Sequence, residues 1–412
     1  MPLRPILAAL RHHKLTAGLL VLQVAVTCAI VCNTGFMVAN RIAQISIDSG
    51  VDEAGLSMLD SESVDKDENL LARHQADLDA LRAIPGVTDA VVVDTLPLGR
   101  SESSYGTCAS MADFERGAAA RNLEQAGCLQ PAVFAGTPGE LKALGLRLVE
   151  GRDFRAEEFV DGYPQTPPVA IISRALAARL YPGKEALGQS VVTGARKPIR
   201  VVGVVDTLVR PRLNTLGSSQ FTMLWPQRPA DRRITYLLRS APAERGRVLR
   251  QAVEALMRLS PNRIIPPDSV RTYAELRRDY FHRDLAMIAL LLASGAGLLF
   301  VTALGIGGLA SFWVQQRRRT IGIRRAVGAT RADILRYFLA ENFLIVGAGI
   351  VLGLLLAVAL NLLLMQRYEV PRLPLACLPA GALAMWLLGQ LAVLSPARRA
   401  AKVPPVVATR SV

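Results

Sequence analysis

The sequence lacks the motifs that mark most catalytic and metal sites. Its four histidines do not fall at a metal-ligand spacing, and neither G-x-S-x-G nor H-E-x-x-H occurs. The phosphate-binding motif G-x-x-x-x-G-K-[ST] is also missing, so the pair Gly183-Lys184 is not a phosphate-binding loop. The sequence therefore predicts no catalytic, cofactor-binding or metal-binding residue in this chain. We expect it neither to be an enzyme nor to hydrolyse ATP itself.

Charged residues make up 20% of the chain but are missing from four long runs. About 20 apolar helical residues cross the roughly 30 Å hydrocarbon layer of a bilayer, and a central charge costs about 2.5–3.5 kcal/mol. The first run exceeds the usual length of a signal-peptide core and no clear A-x-A site follows it, so we interpret it as an uncleaved anchor. The predicted transmembrane helices are 15–39, 285–314, 338–365 and 375–394.

Lys and Arg outnumber Asp and Glu by 48 to 34, and the excess is confined to three segments. Segments 1–14, 315–337 and 395–412 hold 14 bases and one acid, whereas the rest of the chain is almost neutral. By the positive-inside rule these segments and both termini are cytoplasmic, and 40–284 and the loop 366–374 lie outside. The bases lie where topology requires them and lack interleaved aromatic residues, so no nucleic-acid partner is predicted.

The outer segment 40–284 alternates helical and strand patterns, as a folded domain does. Two βα units that pack together are predicted from the helix and strand at 68–81 and 88–96 and the strand and helix at 234–238 and 243–259. An inserted subdomain over about 97–230 is predicted from strands at 132–136, 169–172, 199–205 and 221–225 and a helix at 173–181.

Residues 272–284 have helical character and run without a breaker into the second span, so they predict a stalk helix. The predicted fold class is a membrane protein with four transmembrane α-helices and a large α/β (α+β) periplasmic domain inserted between helices 1 and 2.

Two of the five cysteines, Cys108 and Cys128, lie in the outer segment. An oxidising compartment favours a disulfide between them that closes a polar loop. The alternative is two free, partly buried thiols.

Small and polar residues inside the spans point to helix packing. Gly349 and Gly353 form a small-xxx-small face suited to close contact within or between protomers. The polar residues inside the spans are interpreted as interhelical hydrogen-bonding groups rather than a translocation path, because no ionisable residue accompanies them. They are Gln23, Asn33, Asn361 and Gln390.

The cytoplasmic segment 315–337 predicts a short helix stopped by Gly328 and a second helix capped by Thr330 and Asp333. Such an elbow, joined to a membrane helix, can transmit a push from a docked protein. Alternatively, its arginines only touch lipid phosphates. The candidate coupling residues are Arg318, Arg319, Ile321, Gly322, Ile323, Arg324, Arg325, Ala326, Val327, Gly328 and Ala329.

Over essentially its whole length the chain resembles the permease subunits of MacB-like and FtsX-like ABC transporters, the mechanotransmission class. The run from Ile321 to Ala329 followed by Asp333-Ile334 is similar to the family's cytoplasmic loop that abuts the ATPase. The tail Pro396 to Ala401 is similar to the family's C-terminal pattern. In the outer domain, 145–154, 169–173, 187–189 and 201–205 resemble the MacB-type periplasmic core.

This resemblance implies an inner-membrane permease that dimerises, as a homo- or heterodimer, and recruits ABC ATPase subunits that bind ATP and Mg²⁺. Movement of the loop then changes the shape of the outer domain and drives efflux of a drug, peptide or other periplasmic substrate, with a periplasmic adaptor and an outer-membrane channel. An FtsX-like signal transmitter that regulates an external enzyme and a LolC/LolE-like lipoprotein-releasing permease are alternatives. Thr320 departs from the family, where many relatives have Glu, so one polar contact to the ATPase differs here.

Overall fold

The computed structural model of the protein describes residues 14–163, 165–213, 219–368 and 374–402. Most of the predicted segment 1–14, part of the loop 366–374 and the tail beyond residue 402 lie outside them. The chain divides into two compact units, one within 1–46 and 283–412 and the other within 47–282.

The described residues contain ten α-helices, numbered in chain order. They are α1 Lys14–Ile45, α2 Leu70–Arg82, α3 Met111–Ala119, α4 Glu140–Leu144, α5 Arg174–Leu180, α6 Arg245–Leu259, α7 Tyr273–Gln316, α8 Arg318–Ala326, α9 Arg331–Tyr368 and α10 Cys377–Ala401.

The same residues contain fourteen β-strands, of which five have only two residues. They are β1 Leu56–Ser63, β2 Val87–Val93, β3 Ser103–Ser104, β4 Ala132–Ala135, β5 Leu148–Gly151, β6 Val160–Asp161, β7 Val169–Ser173, β8 Ser190–Val192, β9 Pro198–Val205, β10 Thr222–Trp225, β11 Gln227–Arg228, β12 Arg233–Ser240, β13 Arg263–Ile264 and β14 Arg271–Thr272.

Four helices, α1, α7, α9 and α10, are long and apolar enough to cross a membrane. Helix α9 packs against both α1 and α10, and buried residues of all four helices form one apolar core. The core includes Val24 of α1, Ile306 of α7, Val346 of α9 and Met385 of α10. With an α/β unit between α1 and the apolar part of α7, the predicted fold class is confirmed.

The helices extend beyond the predicted spans. Helix α7 begins at a capping box, in which the Thr272 amide donates to Glu275 Oε2 (2.7 Å) and the Glu275 amide donates to Thr272 Oγ1 (3.3 Å). Helix α10 continues to Ala401, past the predicted end at 394. The segment 315–337 is largely helical, since it holds all of α8 and the start of α9.

In the outer unit, the first sheet is antiparallel with the order β13-β1-β12-β2, and β14 also pairs with β1. Helices α2 and α6 cover one face, where Leu78 and Val248 pack with Tyr236. The opposite face, with Met58 and Leu237, belongs to a core shared with the second sheet. One core thus joins the two sheets.

The second sheet is mixed and lies within residues 103–225, in the order β3-β4-β10-β7-β9-β5 with β8 also on β9. Parallel pairs are β4 with β10 and β7 with β9. Helix α5 covers one face through Leu176, which packs with Ile172 and Val204. All four residues of β4 and of β10 are buried, as expected for central strands.

Strand β1 is an element that the sequence patterns miss, although it lies between β13 and β12 in the first sheet. Five of the eight residues in its sequence, LSMLDSES, are polar, and Ser57, Ser61 and Ser63 are buried. Hydrophobic alternation therefore does not mark it as a strand.

Candidate functional site

The elbow between α7 and α9 is made of α8 and the turn 327–330. Gly328 has φ +107°, a conformation that side-chain-bearing residues rarely adopt. Its amide donates to Arg325 O (3.2 Å), and the Ala329 amide donates to Arg324 O (3.0 Å). These bonds are those of a Schellman motif, which satisfies the last carbonyls of α8 and ends the helix there.

Helix α9 begins at a reciprocal cap. The Thr330 amide and hydroxyl donate to Asp333 Oδ2 (3.0 and 2.6 Å), and the Asp333 amide donates to Thr330 Oγ1 (3.2 Å). The four-residue turn 327–330 thus separates two capped helices, α8 and α9, and the chain changes direction at this turn.

One side of α8 is fixed to the bundle. Ile321 is 4% exposed and packs in the apolar core that includes Ile334 and Phe338. Next to it, Arg317 Nη1 donates to both carboxylate oxygens of Glu341 (2.9 Å each), and the Glu341 side chain is only 3% exposed. This partly buried ion pair anchors the start of α8 to α9.

Two more arginines tie α8 to its neighbours. The Arg324 guanidinium lies 4.9 Å from the centre of the Tyr337 ring, within cation–π range. Arg325 Nη1 donates to Ala401 O (3.2 Å) at the end of α10, where the helix dipole favours a cation. The elbow therefore contacts both α9 and α10.

The other side of α8 is exposed. Ile323 is 48% and Val327 83% exposed, and Arg318, Arg319 and Ala326 are also on the surface. A cavity of about 210 Å³ lies between the start of α8 and α9, bounded by Arg317, Thr320, Ile321, Arg324, Ile334, Tyr337 and Phe338. The arrangement is an apolar patch with a basic rim on a helix that is held from behind.

The predicted coupling residues thus divide into two groups. Ile321 and Gly322 are buried against the bundle, while most of the others face outward or form the turn. Residue type and spacing do not reveal the Arg317–Glu341 pair. Its only signal in the sequence is that Glu341, the eleventh residue of α9, is acidic in a mostly apolar helix.

Cys108 and Cys128 are joined by a disulfide in the outer unit. Both are buried, in a small core with Phe114 of α3 and Val192 of β8. The bond closes the loop that contains α3.

Gly349 and Gly353 lie against α1 of the same chain. A Cβ at Gly349 would be 2.7 Å from Val24 Cβ, and one at Gly353 would be 2.6 Å from Cys28 Cβ. Nearby, Asn33 Nδ2 donates to Ala357 O (3.1 Å), an interhelical hydrogen bond. These glycines permit the close contact of α1 and α9.

Two acidic side chains of the outer unit have raised pKa values. Burial raises the pKa of Asp94 to about 7, although the Ala135 amide donates to its carboxylate (2.9 Å). Burial, and then the charges of Asp94 and Asp153, raise the pKa of Glu140 well above its usual value. Within residues 14–163, 165–213, 219–368 and 374–402, no group of three or more His, Cys, Asp or Glu is arranged to hold a metal ion.

Two families match the chain. The MacB-like periplasmic core domain matches residues 20–257, and the FtsX-like permease C-terminal domain matches residues 292–405. The first match begins inside α1 and covers most of the outer unit, and the second covers most of α7 and all of α8, α9 and α10.

Among curated relatives, a macrolide export ATP-binding/permease protein MacB of Agrobacterium fabrum is 29% identical over 64% of this chain and 40% of its own length. The Escherichia coli K12 protein of the same name is 30% identical over 64% and 40%. The chain thus spans about 40% of the length of these relatives.

Among solved structures, the periplasmic region of MacB from Actinobacillus actinomycetemcomitans is 12% identical, with 57% of this chain and 97% of that one covered and a TM-score of 0.34. The extracellular domain of the noncanonical ABC-type transporter YknZ is 15% identical, with 51% and 99% covered and a TM-score of 0.32.

Proposed function

Since the chain belongs to the family of MacB-like and FtsX-like ABC transporter permeases, we propose that it couples ATP binding and hydrolysis in a separate ATPase subunit to movement of its outer domain. The chain itself is the permease component, a multi-pass inner-membrane protein. We further propose that the 14 bases of its three basic segments face the cytoplasm, with both termini inside and 40–284 in the periplasm.

The observation that carries this proposal is the two-sided elbow. A protein docked on Ile323 and Val327 presses on a helix whose back is fixed by Ile321 and the Arg317–Glu341 pair. The force therefore passes to both α7 and α9. Exposed apolar residues with a basic rim favour an acidic-rimmed apolar groove on the ATPase.

Helix α7 is the lever in this proposal. Its 44 residues correspond to about 66 Å, about twice the roughly 30 Å hydrocarbon layer. At its outer end, Tyr273 is fully buried and its hydroxyl donates to Pro97 O (2.9 Å) within the outer unit. When two permease protomers and two ATPase subunits assemble, closure of the ATPase pair moves α8, tilts α7 and changes the outer domain.

Efflux of a drug, peptide or other periplasmic substrate, through a periplasmic adaptor and an outer-membrane channel, is the output we propose. It is supported by the match of 20–257 to the MacB-like periplasmic core domain and by the name of the relatives, which describes macrolide export. A signal transmitter or a lipoprotein-releasing permease would use the same elbow with a different output.

The coupling step is tested with two substitutions that place a negative charge on the elbow, Ile323→Glu and Val327→Glu. Each should abolish co-purification with the partner ABC ATPase and the ATP hydrolysis of the complex. Ile264→Glu, at an apolar outer-domain residue that is 53% exposed, is the matched control and should retain both. If both elbow variants bind the ATPase normally, the elbow is not its docking site.

The output is tested separately, in cells that express the permease with its ATPase and are challenged with macrolides and other exported compounds. Efflux predicts higher tolerance that the Val327→Glu variant loses. Unchanged tolerance together with ATP-dependent activation of a cell-wall hydrolase would replace efflux by signalling.

A further inference from the structure

Two adjoining cavities, one between α9 and α10 and the other along the end of α10 alone, are together called the α9–α10 groove. The larger, about 600 Å³, has walls that include Leu339, Phe343, Leu344 and Trp386. The smaller, about 320 Å³, shares Leu391 and Leu394 with the first and is bounded by Ser395, Arg398, Arg399 and Lys402. One continuous surface thus changes from apolar to basic, within the 300–1,000 Å³ range of ligand pockets.

The dimensions of the groove match one leaflet of a bilayer. Trp386, Gln390, Leu394 and Arg398 follow each other at four-residue intervals, so each lies next to the previous one in a stripe that winds about 40° around α10 per step. From Trp386 to Arg398 the helix rises about 18 Å, and half of a roughly 30 Å hydrocarbon layer is about 15 Å. If Arg398 lies at the membrane surface, the groove reaches to near the middle of the bilayer.

The positive charge at the basic end of the groove indicates which kind of molecule binds there. Residues 374–402 contain no Asp or Glu, and within the part of the chain that the structure describes, Arg398, Arg399 and Lys402 have no carboxylate within 4.0 Å. A second copy of the chain would not supply the complementary negative charge, because its three basic segments hold 14 bases and only one acid. An anionic phospholipid supplies both the negative charge and an acyl chain.

We propose that the α9–α10 groove binds one anionic phospholipid from the leaflet at the basic end of the bundle. Its acyl chain lies against Phe343, Trp386 and Leu391, of which Phe343 and Leu391 are 48% and 67% exposed. Its phosphate accepts hydrogen bonds from the bases at the end of α10. The lipid thereby occupies a surface next to Ala401, the carbonyl of which holds Arg325 of the elbow.

The test uses the full chain with Trp386 as the sole tryptophan, made by Trp225→Phe and Trp313→Phe. Vesicles of phosphatidylcholine contain increasing fractions of brominated phosphatidylglycerol or, for comparison, brominated phosphatidylcholine. Bromine quenches a tryptophan that it contacts, so half-quenching reports occupancy of the groove. We expect the anionic lipid to bind roughly tenfold more tightly than the zwitterionic one.

The triple variant Arg398→Gln, Arg399→Gln, Lys402→Gln should lower this preference to about one. The matched control, Arg318→Gln, Arg319→Gln, Arg331→Gln, removes the same charge from exposed residues that do not line the groove and should keep the preference.

The proposal is overturned if the parent binds the anionic and the zwitterionic lipid equally tightly. It is also overturned if the control variant loses the preference for the anionic lipid as much as the triple variant does. If both lipids quench Trp386 weakly and Phe343→Cys forms a disulfide between two copies of the chain, a second copy covers the groove instead of a lipid. The comparison of the anionic with the zwitterionic lipid in the parent needs no charge variant. It therefore still tests the proposal if the triple variant fails to fold. Neither ATPase activity nor export is measured, so the result is independent of the coupling and efflux proposals.

Discussion

At the residue scale, the outer domain depends on a buried ion pair between Asp77 of α2 and Arg263 of β13. Their side chains are 2% and 0% exposed, and two guanidinium nitrogens donate to the two carboxylate oxygens (2.9 Å each). The Tyr236 hydroxyl of β12 also donates to Asp77. The carboxylate thus joins a helix to two strands of the first sheet.

Replacing Asp77 by Ala should destabilise the outer domain by about 3–5 kcal/mol, because the Arg263 charge remains buried without its partner. Urea unfolding followed by Trp225 fluorescence in the Trp313→Phe, Trp386→Phe background measures this loss. Asp161→Ala removes the partner of Arg228 from a pair that is 46% and 36% exposed and should cost at most about 1 kcal/mol. Equal losses in the two variants would show that burial does not determine the effect.

Glu140 should make the stability of the outer domain depend on pH. Its pKa is raised in the folded state by burial, whereas the unfolded value is about 4.3, so the folded protein holds a proton that the unfolded chain releases above that pH. This contribution to stability is complete below about pH 4.3 and decreases as pH rises toward the folded pKa.

In the Glu140→Gln variant this loss disappears. Its melting temperature, followed by Trp225 fluorescence, should exceed that of the parent by an amount that increases from pH 5 to pH 8. The exposed Glu157→Gln is the control and should give a constant difference. A constant difference for Glu140→Gln as well would mean that this carboxyl does not titrate differently on folding.

At the element scale, α9 organises the bundle, since it packs on both α1 and α10 and carries the elbow at its start. Its glycines have different surroundings. A Cβ at Gly353 would meet Cys28 Cβ and lie 2.8 Å from Ala25 O, whereas a Cβ at Gly347 would meet no atom within 4 Å. The same substitution therefore tests contact and helix propensity separately.

Gly353→Val should lower the stability of the bundle by about 1–3 kcal/mol, because its side chain overlaps the backbone of α1. Titration with sodium dodecyl sulfate, followed by circular dichroism of the purified protein, measures this change. Gly347→Val is the matched control and should be close to the parent. A similar loss in both variants would attribute the effect to valine in a helix rather than to the contact with α1.

At the scale of the whole molecule, almost all of the net charge of +14 lies in the three basic segments, and the rest of the chain is almost neutral. In our proposal, this distribution reflects the orientation of the chain in the membrane. Specificity for a substrate or partner is therefore expected from the shape and polarity of the outer domain rather than from its net charge.

The proposed orientation predicts the labelling of single cysteines by a membrane-impermeant maleimide in intact spheroplasts. The background replaces the free Cys28, Cys32 and Cys377 by Ser and keeps the disulfide. Lys184→Cys, exposed in the outer domain, should be labelled, whereas Arg319→Cys should be labelled only after the membrane is opened. Labelling of Arg319→Cys in intact spheroplasts would reverse the orientation.

Much of the bundle follows from the sequence, because uncharged runs, basic flanks and capping residues are local signals. The elbow shows this: Gly328, Thr330 and Asp333 are recognisable from residue type and spacing alone. In the outer domain, buried runs such as 199–205 are also recognisable from the local sequence, whereas β1 is not. Five of its eight residues are polar, and it is a strand because it pairs with β12, β13 and β14.

The sequence by itself determined the number and place of the apolar helices, the distribution of charge and the resemblance to ABC permeases, since each depends on residue type along the chain. Only the tertiary structure decided which face of α8 is buried, that Arg317 pairs with Glu341 and Asp77 with Arg263, and that Gly353 meets α1. These contacts join residues far apart in the sequence. Their partners are chosen by the packing of helices and strands, which residue spacing does not encode.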